Sequence, residues 1–156
     1  MQKMNKQNFG FFFLLFVLTL LQFACSSTRQ AVPSQIGLLP LDGYEFTAGN
    51  PVTDTAYRVI RSEADFDASF RAAASARRPA FHGQTVVAIV LKTAPSTPLH
   101  FSRAEKEGRM INVYAQTCTE CSSSRAVMAT IPTVGDARSV RFFINGENKA
   151  VLGLQD

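Results

Sequence analysis

The sequence predicts an α+β fold, a mostly antiparallel sheet of about six short strands with one packed helix. Three observations lead there. Thr85 to Lys92 reads TVVAIVLK, a near-continuous run of β-branched and aliphatic residues. Such a run does not alternate with polar residues, so it reads as a central strand covered on both faces. Ser62 to Ser75 carries the one amphipathic helical pattern. After Pro98 the chain becomes a series of short apolar runs divided by turn residues, the last divider being Asn145-Gly146. An Asn-Gly pair between apolar runs is a strong hairpin indicator.

The chain opens with Lys3 and Lys6, followed by Phe9 to Ala24, sixteen residues without charge, then Cys25, Ser26 and Ser27. A basic start, an apolar stretch and small residues form the layout of a secretory signal. A membrane-spanning helix needs about 20 apolar residues, so this stretch is short for one. Residues 1–24 are therefore read as a signal peptide. Its end resembles a bacterial lipoprotein signal, with Ala24 before Cys25 and serine after it. Three residues before the cysteine, where that family usually has Leu, this chain has Gln22. The resemblance implies that Cys25 is lipidated and becomes the mature N-terminus, fixing the chain to a membrane of the bacterial cell envelope. The alternative is ordinary cleavage near Ser26. There are three cysteines. With lipid on Cys25, Cys118 and Cys121 remain as an even pair in an oxidising compartment.

Removing Lys3 and Lys6 leaves 14 basic and 12 acidic side chains, a net charge of +2. That is too mild to argue for a nucleic-acid partner. Residues 25–38 are polar with Pro33 and Gly37, and read as a flexible tether. Residues 39–156 then form a single domain.

Within it, Tyr44 to Thr47 reads as a short edge strand and Thr55 to Arg61 as a second strand. The helix follows. Ser62 is its cap, Glu63 and Asp65 lie in the first turn where negative charge is favoured, and Phe66, Phe70, Ala73 and Ala74 form its apolar stripe. Arg71, Arg77 and Arg78 suit its far end, and Pro79 ends it. The central strand comes next. Strands are then expected at Leu99 to Ala104, Arg109 to Thr117, Ala126 to Ile131, Ser139 to Asn145 and Lys149 to Leu154. Glu105 to Gly108 reads as a charged turn and Cys118 to Ser124 as a loop. Ile111, Val113 and Ala115 share one face, as do Val140, Phe142 and Ile144. Phe66, Phe70, Phe142 and Phe143 suit core positions.

The segments YRVIRS, ADFDASF, FHGQTVVAIVLK, INVYAQT and TIPTVGDARSVRFFIN, in that order, are similar to the C-terminal domain of the protease complex subunit PrcB family. The similarity runs from Tyr57 to Asn145. It implies an α+β domain in a bacterial lipoprotein or secreted protein, associated with a protease complex without being proteolytic. Where that family has a Thr-Gly-Gly-Tyr-like turn after the buried strand, this chain has Ser96-Thr97-Pro98-Leu99.

Cys118-Thr119-Glu120-Cys121 is the sharpest local motif. A disulfide closing a tight loop is the leading reading in an exported chain. A redox pair of the thioredoxin kind would want the first cysteine at a helix N-terminus. A metal site would need two further ligands, and neither His82 nor His100 stands at ligand spacing from the cysteines. Free thiols are the remaining alternative. His82 or His100 with Ser96 or Ser102 invites a hydrolase reading, but no nucleophile-elbow pattern is present. Glu105 and Glu107 read as a solvated turn. The expectation is thus a membrane-anchored, non-enzymatic module without cofactor. Its loops, chiefly Ser96, Thr97 and Pro98 together with Cys118 to Ser124, would meet a protein partner, and the PrcB resemblance points to an envelope protease. The alternative function is an exported thiol–disulfide or metal-binding protein using Cys118 and Cys121.

Overall fold

A computed structural model describes residues 32–73 and 76–154. The signal segment, Cys25, Ala74 and Ser75 lie outside the described residues. The α+β expectation is overturned. Among the described residues the fold is mostly β, 52% strand and 6% helix, with 11 strands in three sheets instead of about six in one.

The strands are β1 (Ser34–Ile36), β2 (Leu39–Leu41), β3 (Tyr44–Phe46), β4 (Thr55–Ile60), β5 (Phe70–Ala72), β6 (Gln84–Leu91), β7 (Leu99–Glu107), β8 (Met110–Thr117), β9 (Ala126–Pro132), β10 (Ser139–Ile144) and β11 (Glu147–Gly153). The helix α1 (Glu63–Ser69) lies between β4 and β5. One sheet runs β1-β7-β8-β10-β11, a second runs β2-β9-β6-β4, and β3 pairs with β5 alone. The two larger sheets pack face to face. Val87 and Ile89 of β6 meet Ile111 and Val113 of β8 and Val140 and Phe142 of β10 in one apolar layer. The other face of β6, with Val86, Ala88 and Val90, is covered by Phe66 of α1, Phe70 of β5 and Tyr44 of β3. Residues Val86 through Val90 are fully buried. That is why the run carries no polar alternation: both of its faces are interior.

The helix is half as long as its pattern suggests. Ser62 caps it as expected, its hydroxyl oxygen accepting the Asp65 N–H at 3.1 Å. At Phe70 the backbone turns extended, with φ −134° and ψ 144°. Phe46, Glu45 and Tyr44 then pair with Phe70, Arg71 and Ala72. The Phe70 ring is buried in this conformation, 5.4 Å from Phe66 and 5.5 Å from Phe46. The strand also satisfies the backbone of β3, and a helix of under two turns has little propagation to lose. No basic residue sits in the last helical turn. Arg78 instead reaches back to Glu63 and Asp67, at 2.6 Å from each.

The remaining differences are of pairing. The predicted tether is partly strand: Ser34, Gln35 and Ile36 pair with Lys106, Glu105 and Ala104. That edge exists because β7 runs on through Glu105 to Glu107, which are therefore strand and not turn, and reverses at Gly108, φ 58°. The sheet is not purely antiparallel, since β8 and β10 run parallel. The chain crosses to the second sheet as β9 between them, and parallel neighbours require such a crossover. Phe143 lies half-buried on the outer face, stacked on Tyr114 at 4.8 Å, rather than in the core.

The first strands close a seam. Ile36 pairs with Ala104 of β7, and three residues later Leu39 pairs with Thr130 of β9. Residues 34–41 thus pass, extended, from the edge of one sheet to the edge of the other. After Leu41 the chain leaves the seam through Asp42 and Gly43, whose φ of 78° suits glycine.

Candidate binding groove and cysteine–histidine cluster

Beyond Leu41 the seam stays open. On its β1 side β7 is paired only over Ala104–Lys106, and on its β2 side β9 is paired only over Met128–Thr130. Leu99 to Arg103 and Ala126 to Val127 therefore have no strand neighbour there among the described residues. A groove of about 610 Å³ occupies this position. Leu41, Tyr44, Phe101 and Met128 give it an apolar floor, while Asp42 and Ser122 stand on its rim. Tyr44 is held by a hydrogen bond from its hydroxyl to the Arg77 carbonyl at 2.9 Å. Burial pushes the Tyr44 hydroxyl above its ordinary pKa, with Arg78 acting against the shift.

One end of the groove is a cluster of three donors. In the β7–β8 pair His100 stands opposite Gln116 and Leu99 opposite Thr117. The pairing continues one step further, the Cys118 N–H donating to the Pro98 carbonyl at 2.9 Å. Side chains alternate along a strand, so His100, Gln116 and Cys118 share the outer face. Cys118 and Cys121 stand at disulfide distance, with sulfurs 2.09 Å and Cα atoms 5.6 Å apart. One ligating atom each from His100, Cys118 and Cys121 lies within 4.8 Å of the other two. His100 Nε2 is 3.4 Å from Gln116 Nε2, and His100 Nδ1 is buried without a hydrogen-bond partner. The loop after Cys118 is tied down by Ser123, whose hydroxyl donates to the Pro95 carbonyl at 2.8 Å. Asn145 steadies the strand end before it, its Oδ1 accepting the Thr117 N–H at 3.1 Å.

The expected site residues fall as follows. The two loops named from sequence are neighbours: Pro98 holds Cys118 and Pro95 holds Ser123. Ser96 and Thr97 are exposed in a bend, and the groove lining begins one residue after Pro98, at Leu99. Cys118 and Cys121 are together. His100 is brought to them although its spacing had argued against it. The register does this, through a bulge between Phe101 and Arg103. His82 lies in an exposed turn away from this cluster. Ser102 directs its hydroxyl to the Tyr114 carbonyl at 3.2 Å. Glu105 and Glu107 act within the sheet, accepting from the Tyr114 hydroxyl and from the Asn112 amide, each at 3.0 Å. Sequence reasoning missed Asp42 to Tyr44 as one wall of the groove. The Asp-Gly turn was visible, but not what it faced.

Compared with family models, curated proteins and solved structures, the chain matches none of them.

Proposed function

We propose that this chain is a lipid-tethered protein of the bacterial cell envelope whose domain binds a partner protein and carries out no catalysis. The observation that supports this reading is the open end of the seam. Along residues 34–41 the seam is filled by an extended segment of the chain itself. Where that segment departs, two strand edges and an apolar floor are left facing the same groove. An extended segment of a partner is the occupant whose backbone and side chains suit both features, by adding a short strand to an exposed edge. The PrcB resemblance makes an envelope protease the partner of choice, with this chain as an accessory subunit.

The location half of the reading is tested by the mass of the mature N-terminal peptide taken from membranes. A diacyl or triacyl adduct on Cys25 is expected, and Cys25→Ser should release the chain from the membrane fraction. An unmodified N-terminus on a freely soluble chain would overturn it.

A further inference from the structure

We propose that Cys118, Cys121 and His100 form a redox-gated site for a thiophilic divalent metal ion, of which Zn²⁺ is the type. The inference does not rest on partner binding in the groove. Four points carry it. The donors already converge, within 4.8 Å of one another. Two thiolates and an imidazole are the ligand types that Zn²⁺ prefers. The buried Nδ1 of His100 has no partner. A buried ring nitrogen left unpaired costs free energy, and a metal at that position would satisfy it. Finally, the ring has a built orienting group. With Nδ1 on the metal, Nε2 carries the proton and needs an acceptor. Gln116, whose amide nitrogen and oxygen exchange places on a half-turn, presents its Oε1 to it from about the 3.4 Å at which its nitrogen stands.

The gate is the sulfur–sulfur bond. While it is intact neither cysteine offers a thiolate. A dithiol reductant transfers two electrons and two protons to the pair, is itself oxidised to a disulfide, and leaves two thiols. Zn²⁺ then takes the place of the two thiol protons, which pass to solvent. Cys118 is anchored by its N–H to Pro98 at the end of β8, whereas Cys121 lies in a loop without regular structure and can shift to tetrahedral spacing. Three protein ligands leave a fourth position open. His100 and Cys121 both line the groove, so that position faces it and is available to water or to a side chain entering from there.

The experiment uses the full chain carrying Cys25→Ser, in which Cys118 and Cys121 are the only cysteines. The chain is reduced with a phosphine, kept free of oxygen and titrated with Co²⁺. A thiolate-to-cobalt charge-transfer band and tetrahedral d–d bands should appear, saturate at one equivalent and vanish on adding Zn²⁺. The oxidised chain should give none. Gln116→Leu should weaken binding about tenfold, as loss of an orienting group does, and His100→Ala should weaken it further and alter the d–d bands. The proposal is overturned by a reduced chain that gives no such bands, or by His100→Ala binding Co²⁺ as tightly and with the same spectrum. Loss of the β-sheet circular dichroism on reduction would overturn it as well, because the site requires the β7–β8 register to survive.

Discussion

Phe142 has no solvent exposure, and its ring lies 5.2 Å from that of Tyr57 across the two packed sheets. Replacing it with alanine empties a volume that neither sheet can collapse into. Phe142→Ala should therefore cost about 3–5 kcal/mol, measured as a fall in the urea midpoint at unchanged slope. Phe142 was legible in the sequence, because Val140 and Phe142 alternate with Ser139 and Arg141, a pattern that Phe143 then interrupts. So were Ile111, Val113 and Ala115, all buried. His100 was not legible as a neighbour of the cysteines. Glu107 pairs with Met110 across the turn, and uninterrupted counting from there would set His100 opposite Thr117. The bulge between Phe101 and Arg103 moves it opposite Gln116 and onto the cysteine face. A single extra residue inverts a strand's faces, and no residue type in the run announces it.

At the scale of elements, α1 and β5 show local pattern and tertiary pairing in competition. Phe66 and Phe70 are four apart, which suits a helical stripe, and both rings are buried although the helix stops at Ser69. Pairing with β3 decided the matter at Phe70. The cap at Ser62 was readable because it depends only on neighbours in sequence. Ser62→Ala removes the acceptor for the Asp65 N–H and should lower stability by about 1 kcal/mol, seen by chemical denaturation. Strands β1 and β2 are three residues each, too short to carry a period, and Pro40 inside β2 argues against strand unless that strand is an edge. It is one: β2 is the end strand of its sheet. The Asn145-Gly146 turn, by contrast, was plain. Both residues have positive φ, 51° and 83°, and Ile144 pairs with Glu147 across them.

Across the whole molecule, the three tyrosines report on packing together. Burial raises the hydroxyl pKa of Tyr44, Tyr57 and Tyr114 above the ordinary 10.0, with Glu105 adding to the shift at Tyr114. A raised folded-state value means that the contribution to stability is whole below pH 10.0 and is lost as pH rises through the shifted values. Ultraviolet titration of the folded chain should show less than half its tyrosine ionised at pH 10.0. Denatured chain at the same pH should show about half. Half ionisation in the folded chain would contradict the packing described for all three rings.

The same scale explains what sequence reading lost in the fold as a whole. Hydrophobic pattern finds strands one at a time, and it found most of the long ones. It does not say which strands share a sheet. Two stacked sheets with a crossover between β8 and β10 therefore looked like one antiparallel sheet. The groove exists only because β7 and β9 belong to different sheets that meet along a seam, and that relation is carried by pairing between residues far apart in sequence, Ile36 with Ala104 and Leu39 with Thr130. The loops beside the groove were found because prolines, serines and cysteines mark loops by composition.

The groove as the place where an extended partner segment lies is tested by site-specific photo-cross-linking in intact membranes. A photoreactive side chain is placed at Ser122 on the groove rim and, in a second chain, at Val151 on the far edge strand. The account predicts a single adduct from Ser122, mapping to one short segment of one partner, with none from Val151. It also predicts that filling the groove with Ser124→Trp abolishes that adduct while the chain stays folded. Equal adducts from both positions, or an adduct from Ser122 that survives the filled groove, would contradict it.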